Sequence, residues 1–527
     1  MVAEIKEQRL AADAHDSPQI VNRRAFFLGG GLGAVALVTP LIARGAPAPD
    51  ALDSQTKRNL RWAGMNPADW VKPRDGVDHN VVIVGGGQTG LGIAYGLRRK
   101  GIGRVDIIDR SDPGQAGIWR NVARMHQLRT AKTQPGPEQG NPELGFRAWF
   151  ETLHGPAAFD ALDRIQRIDW ADYLAWFEQV TEAKIRYRTL LLDIEPAGDV
   201  LRLHLEVDGI SRVETTRKLV FANGYAGAGG HSAPGFLRAL PAKLWSHTDA
   251  PFDFDTLRGK VVGVIGAGAS AFDAAATALE HGAADVHLYS RRAYIDYPPP
   301  GTAAGFAPPP GLDRGHANVI ELAYELPDEV RWRNHRTREN RAATVPLDSI
   351  ERAVSQKNFH LHLNGELTDV AATGNRKVTA KIGGTLQRFD HVIAGTGYRV
   401  DLTAQPEFAR IQQSIALWSD RFHPGAGEED AAAGRYPYLG AGFEFLARTE
   451  ADTIFLRNIH CFNLAASVSY GELVGDIPSV VLQPRLVSAI SRDLFAEGID
   501  VAANARFNSA PLPVPDPAPY QKAVSAA

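Results

Sequence analysis

Cysteine is almost absent from this chain: Cys461 is the single cysteine in 527 residues. One thiol excludes a disulfide framework, a cysteine-rich metal site and a redox-active C-x-x-C pair. Charge of one sign is not in excess either, because 57 Lys and Arg stand against 60 Asp and Glu, for a formal net charge of −3. Such a chain has no electrostatic footprint for nucleic acid. We therefore predict neither a metal site nor a nucleic-acid partner.

Long hydrophobic runs are also scarce, and the apolar stretch near the N-terminus is interrupted. The segment NRRAFFL at residues 22–28 is followed by the glycine-rich GGGLGAVALVTPLIA, and APA at residues 46–48 offers a cleavage sequence. This order resembles a twin-arginine signal, so residues 1–48 predict export to the periplasm by the twin-arginine machinery. A transmembrane helix fits less well, because the stretch is short and contains Pro40. An uncleaved membrane anchor and a cytoplasmic N-terminal tail are the alternatives.

Glycine, by contrast, is concentrated in a strand–turn–helix–strand pattern at residues 81–110. The apolar run VVIV precedes Gly85, Gly87 and Gly90, which have the G-x-G-x-x-G spacing. Such glycines permit a tight turn, approach of the backbone to a pyrophosphate, and close packing of the helix on the sheet. Asp109 ends the second strand, where a carboxylate can accept hydrogen bonds from ribose hydroxyls. We interpret this segment as the FAD site.

The same pattern recurs at residues 261–292 with a different ending. Gly266, Gly268 and Ala271 have the spacing G-x-G-x-x-A, but the acid is replaced by the run Ser290, Arg291 and Arg292. Two guanidinium groups suit a 2′-phosphate, because the planar donor fork of arginine matches phosphate oxygens. We interpret the second segment as the NADP site.

These patterns predict an α/β fold of two dinucleotide-binding, Rossmann-like domains, with the NADP domain inserted into the FAD domain. The predicted order is a signal at residues 1–48, a linker at 49–77, the FAD domain at 78–225, the NADP domain at 226–395, the second part of the FAD domain at 396–509, and a proline-rich tail at 510–527.

Residues 117–155 are rich in proline and glycine, which predicts an ordered loop, whereas residues 169–182 have helical periodicity. Three strands, TLLLDIEP, VLRLHLEVDG and KLVFANG, predict an antiparallel meander that rejoins the first sheet. FHLHLNG, DVAATG and VTAKIGG are predicted to mirror it, and HVIAGTGY mirrors KLVFANGY. The proline-rich segment at residues 297–311 is interpreted as either a lid over the nicotinamide or a simple insertion.

Two nucleotide sites in one chain predict electron transfer from a nicotinamide to a flavin. A disulfide reductase would pass the electrons to a cysteine pair, which a single cysteine cannot provide. The remaining acceptors are molecular oxygen, with transfer of one oxygen atom to a substrate, or an unidentified oxidant.

The order of the first fingerprint, GIW at residues 117–119, the second fingerprint with SRR, and AGTGY at residues 394–398 resembles the class B flavin monooxygenases. This family comprises flavin-containing, Baeyer–Villiger and N-hydroxylating monooxygenases, and the resemblance spans about residues 80–495. It implies FAD and NADP(H) as cofactors, and molecular oxygen and a small nitrogen, sulfur or carbonyl compound as substrates. Side chains in such enzymes mostly position the reactants and exclude solvent.

Four active-site residues follow from this resemblance. Trp119 resembles the residue that lies beside the flavin. MHQLRTAK at residues 125–132 resembles the N-hydroxylating segment whose Gln and Lys face flavin and substrate, and also the flavin-containing monooxygenase segment whose Asn lies near the reactive flavin carbon. On the second alignment Arg129 occupies the Asn position. We predict Gln127, Arg129 and Lys132 as catalytic residues.

The resemblance also suggests weaker candidates. His247 is the one residue retained from the family sequence F-x-G-x-x-x-H, which makes it a candidate for the interdomain hinge near NADP. The run DIP at residues 476–478 predicts a helix start at Asp476 whose positive end faces the flavin pyrimidine. Candidates for the substrate side are His460, Asn463, Ser467 and Tyr470.

The leading hypothesis is therefore an FAD-dependent oxidoreductase that is reduced by NADPH and acts as a monooxygenase on a small substrate. One alternative is an exported flavin oxidase or dehydrogenase, because NADPH is scarce outside the cytoplasm. The other is a flavin-binding protein without turnover.

Overall fold

The computed structural model describes residues 49–64, 67–297, 320–340, 344–374, 376–511 and 513–525. The predicted signal at residues 1–48 lies outside this range, as does nearly all of the proline-rich segment at residues 297–311. All of the described residues belong to one compact unit. None of the helices in the described ranges is both long and apolar enough to cross a bilayer.

Helices and strands are interspersed along the chain, and strands also occur in two consecutive runs, β3 to β6 and β10 to β14. The α-helices that lie wholly within the described ranges are α1 (Pro49–Trp62), α2 (Gln88–Arg99), α3 (Phe146–His154), α4 (Pro156–Ala161), α5 (Arg167–Val180), α6 (Gly235–Arg238), α7 (Ala269–Glu280), α8 (Asp328–Asn340), α9 (Leu347–Val354), α10 (Trp418–Arg421), α11 (Thr453–Leu456), α12 (Gln483–Ala496) and α13 (Val501–Ser509). The strands are β1 (His79–Val84), β2 (Val105–Ile108), β3 (Ile185–Arg186), β4 (Thr189–Ala197), β5 (Val200–Val207), β6 (Ile210–Phe221), β7 (Trp245–His247), β8 (Val261–Ile265), β9 (Asp285–Tyr289), β10 (Phe359–His362), β11 (Leu367–Thr373), β12 (Lys377–Ile382), β13 (Thr385–Phe389), β14 (His391–Ala394) and β15 (Ile459–Cys461).

The first sheet has the order β3-β2-β1-β6-β5-β4, and β15 also pairs with β6. The first half of β6 is antiparallel to β5, whereas its second half is parallel to β1 and β15. Leu219, Val220 and Phe221 in that second half are fully buried, as expected for a central parallel strand covered on both faces. The predicted meander and its return to the first sheet are confirmed.

The second sheet, in the order β10-β9-β8-β14-β7, is entirely parallel, and β11-β12-β13 form a separate antiparallel sheet. The prediction that FHLHLNG begins the second meander is wrong. Those residues form β10, which pairs in register with β9, and the missing third strand of the meander is β13.

The hydrophobic cores follow the predicted insertion. One core joins residues from both ends of the chain, such as Val81, Leu219 and Ile490. A second core is built from the intervening residues, such as Val264 and Ile393. The α/β fold with two dinucleotide-binding domains is confirmed.

Residues 117–155 are not loop throughout, because α3 occupies their C-terminal part. Phe146, Trp149 and Phe150 are buried on one face of α3, which stabilises the helix against α5. Gly145 and Gly155 cap its two ends, and Gly155 has φ +85°. Gly145 and Gly155 therefore mark helix ends rather than loop.

The predicted linker at residues 49–77 contains α1. Its Thr56 and Leu60 are buried one turn apart, so α1 packs on the first core by a narrow face. The tryptophans of this segment do not anchor it, since Trp62 and Trp70 are 76% and 68% exposed.

Helix α8 lies within residues 226–395 but packs on the segment that follows them. Trp332 Nε1 donates to Glu428 O at 2.8 Å, and its ring centroid lies 6.0 Å from that of Trp418. Arg331 Nη1 donates to Ser469 O at 2.5 Å. The polypeptide of the predicted NADP domain therefore also covers the returning part of the FAD domain.

Candidate active site

The first glycine turn lies between β1 and α2, and its geometry requires glycine. Gly85 has φ +111°, and a Cβ there would lie 2.5 Å from Ala222 O. A Cβ on Gly90 would lie 1.9 Å from Gly85 O, so only glycine lets α2 approach the turn. Gly87 is the N-cap of α2, which leaves the first helical N–H groups available to an anion. The turn is a cradle that fits a pyrophosphate and that side chains would fill.

Asp109 lies directly after β2 and is bound to this turn. Its Oδ2 accepts a hydrogen bond from the Gly86 N–H at 2.7 Å, and its Oδ1 accepts from the N–H and hydroxyl of Ser111 at 2.8 and 2.5 Å. The carboxylate is thus held beside the cradle, where contact with a ribose stays a prediction.

The GIW segment crosses the same turn. Gly117 has φ +77°, and its Cα would lie 3.3 Å from a Cβ on Gly87. Trp119 is half-buried, and its ring meets that of Trp170 edge-on at 6.5 Å. Trp119 therefore lies next to the first cradle, and its predicted contact with the flavin stays a prediction.

The second glycine turn lies between β8 and α7. Gly266 has φ +104°, and a Cβ there would lie 2.2 Å from Gly395 O. Gly268 is the N-cap of α7. Ala271 can replace the third glycine because its neighbour after β14 is Gly395, whose own Cβ would lie 2.6 Å from the Ala271 methyl group. The second turn therefore keeps its close packing, because the glycine that this packing requires is Gly395, after β14, instead of residue 271.

Ser290, Arg291 and Arg292 follow β9 at the carboxyl edge of the second sheet. Ser290 is buried, and its Oγ accepts a hydrogen bond from the Arg292 N–H at 3.1 Å. Both arginine side chains are exposed, and Arg292 Nη2 also donates to Asn340 O at 3.4 Å. The turn presents two cations beside the second cradle, and their contact with a 2′-phosphate stays a prediction.

Lys132 is held by backbone carbonyls. Its Nζ donates to the oxygens of Phe159, Asp160 and Leu162 at 2.9, 3.0 and 2.7 Å. These carbonyls belong to the C-terminal end of α4, where a cation is favourable. All three protons of the ammonium group are used in hydrogen bonds that stabilise the end of α4. A catalytic role for Lys132 stays a prediction, and this geometry does not favour it.

Gln127 and Arg129 lie two residues apart but have different surroundings. Gln127 forms an isolated backbone bridge with Gln166. Arg129 Nη2 donates to Asp273 Oδ2 at 2.9 Å, and Asp273 lies on α7. Arg129 is therefore attached to α7, the helix that begins at the second cradle.

Asp476 lies close to the N-terminus of α12. The predicted helix start is a 3-10 turn, Pro478–Leu482, which leads into α12. Asp476 Oδ1 accepts a hydrogen bond from the Ser479 N–H at 2.9 Å, and burial raises the pKa of the Asp476 carboxyl to about 6. A Cβ on Gly475 would lie 3.6 Å from the ring of Tyr225, which brings this turn to the end of β6.

Tyr225 and Tyr398 were not among the predicted site residues, and their rings meet edge-on at 5.4 Å. They follow β6 and β14, so the repeated endings NGY and TGY were the available signal. Burial raises the pKa of both phenols.

His247 lies beside this pair, with its ring 5.8 Å from that of Tyr398. The His247 ring stacks on His231 at 4.2 Å, and burial lowers the pKa of His247 to about 4. His231 Nε2 lies 3.1 Å from Asp249 Oδ2.

The four substrate-side candidates are buried and hydrogen-bonded within the core. His460 Nδ1 bonds Gly442 O, Asn463 Nδ2 bonds Asn223 Oδ1, Ser467 Oγ accepts from Val474 N–H, and Tyr470 Oη bonds Gly440 O, at 2.8, 2.8, 3.2 and 3.0 Å. These contacts describe packing, and a role in substrate binding stays a prediction.

Comparison with known proteins places this site in a family. A family model described as pyridine nucleotide-disulphide oxidoreductase matches residues 82–300. An FAD-dependent urate hydroxylase from Xanthomonas campestris pv. campestris is 36% identical over 453 residues, which cover 85% of this chain and 93% of that protein.

Two solved structures share the fold. Ornithine hydroxylase from Pseudomonas aeruginosa has a TM-score of 0.60 at 17% identity and covers 80% of this chain and 100% of its own. An ornithine N-hydroxylase from Kutzneria sp. 744, solved with reduced FAD, NADP⁺ and L-ornithine, has a TM-score of 0.58 at 14% identity, with coverages of 79% and 99%.

The predicted FAD-dependent monooxygenase is confirmed by the 36% identical relative, and the predicted cofactors FAD and NADP(H) agree with these findings. The chain belongs to the family of FAD-dependent flavin monooxygenases that includes this urate hydroxylase.

Proposed function

We propose that this protein uses NADPH and O₂ to hydroxylate a small, electron-rich nitrogen heterocycle of the urate type. The observation that carries this proposal is the 36% identity to a urate hydroxylase over 453 residues, a stretch that covers 85% of the chain. This proposal narrows the predicted range of substrates from nitrogen, sulfur and carbonyl compounds in general to a nitrogen heterocycle.

The residues of the first cradle suit FAD. The Gly85 turn would receive its pyrophosphate and Asp109 its ribose, with Asp476 beside the flavin. When bound, FAD supplies the two-electron carrier between nicotinamide and oxygen. The overall reaction balances as substrate, O₂, NADPH and H⁺ giving hydroxylated product, NADP⁺ and water. In this proposal the side chains beside the two glycine turns would hold the nucleotides. The ring contact of Tyr225 and Tyr398 joins the segment after β6 to the segment after β14.

The proposed preference for NADPH over NADH depends on Arg291 and Arg292. Replacing both with glutamine removes two charged contacts to a 2′-phosphate, so KM for NADPH should rise about tenfold or more while KM for NADH stays unchanged. Arg410→Gln, which removes an exposed ion pair with Asp193, is the matched control. Equal changes with both nucleotides would contradict the assignment.

Oxygen-18 labelling tests the reaction. Purified protein should be yellow, should bleach anaerobically with NADPH, and should show urate-dependent NADPH oxidation with one ¹⁸O atom from ¹⁸O₂ in the product. Ornithine and lysine serve as comparison substrates. Bleaching by NADPH without incorporation of label into any product would make the protein an oxidase or dehydrogenase instead.

We also propose that residues 1–48 direct export by the twin-arginine machinery, on the strength of NRRAFFL and the weakly apolar run that follows it. A fusion of residues 1–48 to a reporter that is active only outside the cytoplasm should give signal, and Arg23→Lys with Arg24→Lys should abolish it. A fusion protein that remains in the cytoplasm and gives no signal would contradict this proposal.

A further inference from the structure

Asp273 is a buried carboxylate on α7. It lies in the sequence AFDAAATALE of α7, and only 1% of its surface is exposed. Ser349 Oγ donates to Asp273 Oδ1 at 2.7 Å, Arg352 Nη1 approaches the same oxygen to 3.2 Å, and Arg129 Nη2 donates to Oδ2 at 2.9 Å. Because a buried charge is costly unless it is paired and hydrogen-bonded, these partners define the position of Asp273.

The pair of Arg129 and Asp273 connects the two nucleotide-binding domains. Arg129 belongs to the segment that follows Trp119, and its backbone oxygen is held by Arg164 Nη1 at 2.6 Å. Asp273 lies on the helix that begins at the second glycine turn. The 2.9 Å contact therefore joins residues that are 144 positions apart in sequence.

Arg352 makes a second connection. Its Nη1 donates to Arg124 O at 3.2 Å, and its Nε and Nη2 each lie 2.9 Å from an oxygen of Glu280. Glu280 is seven residues after Asp273, so both carboxylates lie on one face of α7. His126 Nε2 lies 3.6 Å from the same carboxylate of Glu280. Helix α7 is thus attached at two points to residues 124–129 of the first domain.

We propose that Arg129, Asp273 and Arg352 form an interdomain clamp that holds the NADP-binding domain at the distance from the FAD-binding domain that hydride transfer needs. The inference rests on the proposed NADPH dependence. In the transfer a hydride, carrying two electrons, leaves the dihydronicotinamide, which becomes NADP⁺, and is accepted by oxidised flavin. A displacement of about 1 Å can slow such a step about 100-fold. Arg129 and Asp273 are thus positioning residues.

The test compares Arg129→Gln, Asp273→Asn and the double variant with the native protein, with Arg410→Gln as the control. Anaerobic reduction of the flavin by NADPH should slow about tenfold or more in each clamp variant. The double variant should resemble the single ones, because the two residues act as a unit. FAD content, and reoxidation by O₂ after reduction with dithionite, should stay within about twofold of the native values.

A second measurement needs neither turnover nor NADPH. Hydrogen exchange of the FAD-loaded protein without nicotinamide should be faster in the clamp variants at residues 121–130 and 269–280, and unchanged in β1 and α2. If Asp273→Asn does not fold, Arg129→Gln carries the test, since 34% of that side chain is exposed.

The outcomes separate the clamp from the proposed function. Flavin reduction within about twofold of native in Arg129→Gln would overturn the clamp, even if exchange is faster, because the pair would then only stabilise the fold. If NADPH does not reduce the native protein, the proposed function fails. The exchange measurement alone then decides whether the clamp joins the domains, and equal exchange in Arg129→Gln and native protein would overturn it.

Discussion

Gly90 leaves no room for a methyl group, because a Cβ there would lie 1.9 Å from Gly85 O. Gly90→Ala must push α2 away from the first cradle, which we expect to cost about 1–3 kcal/mol of stability and most of the bound FAD. Chemical unfolding measures the loss of stability, and the ratio of flavin to protein absorbance measures the loss of bound FAD. Gly235→Ala is the control, since no heavy atom lies within 4 Å of its Cβ position. Full flavin content in Gly90→Ala would contradict this interpretation of the turn.

Lys132 gives a second prediction for a single residue. Its three hydrogen bonds to the end of α4 would be lost in Lys132→Met. We expect the free energy of unfolding to fall by about 1–3 kcal/mol, with turnover per bound flavin unchanged. Urea unfolding and NADPH oxidation measure the two quantities. A large loss of turnover at native stability would instead support the catalytic role predicted from sequence.

For single residues, the sequence predicted the glycines of the two turns but not the hydrogen-bond partners of the predicted catalytic residues. Gly85, Gly90 and Gly266 could be recognised because backbone spacing alone identifies them. The partners of Arg129 and Lys132 could not, because Asp273 and the carbonyls of α4 approach only after the chain has folded.

Among the elements, α13 contributes least to the core. It has no buried residue, and the tail after it is exposed. Removing residues 499–527 should therefore change the free energy of unfolding by less than about 0.5 kcal/mol and leave FAD content unchanged. Thermal unfolding and flavin absorbance provide the test. A deletion that begins at residue 483 also removes α12, whose Leu486 and Ile490 are fully buried, and should prevent folding.

The predicted elements succeeded where hydrophobic periodicity decides structure, as in α5 and β4 to β6. No element was predicted at α8, whose sequence DEVRWRNHRTREN is strongly polar. Its Arg331, Trp332 and His335 are nevertheless buried, because a distant segment supplies carbonyl and aromatic partners. No local pattern carries that information.

For the whole molecule, buried neutral histidines predict sensitivity to acid. Burial lowers the pKa of His247, His335 and His391 to about 4 and that of His460 to about 3. The unfolded chain binds more protons than the folded one between the unfolded pKa, about 6.5, and these values, so stability falls as pH drops through that window. At about pH 5 the loss is up to about 2 kcal/mol per histidine, and above about pH 7.5 it vanishes.

Urea unfolding at about pH 7.5 and about pH 5 measures this loss. His460→Asn provides the comparison, because its amide can still donate to Gly442 O but cannot titrate. The decline in stability between the two pH values should be smaller in His460→Asn than in the native protein. An equal decline would show that His460 does not contribute.

The architecture at this scale followed from one repeat. Residues 81–110 and 261–292 predicted two related domains, and their order predicted the insertion that the cores show. The contacts between the two domains could not be predicted from the sequence, because the clamp and the tyrosine pair depend on how the two sheets are placed in the folded protein.

The scarcity of cysteine has a practical consequence. Cys461 lies in β15 beside β6, is 2% exposed, and has its pKa raised by burial to about 12. Because the thiolate is the reactive form, reagents for thiols should not modify the folded protein. Labelling can proceed only when β15 separates from the sheet, and it can occur at one atom in 527 residues. The rate at which Cys461 is labelled therefore reports how often the first sheet opens at β15. The mass of the intact native protein measures this rate, and no substitution is needed.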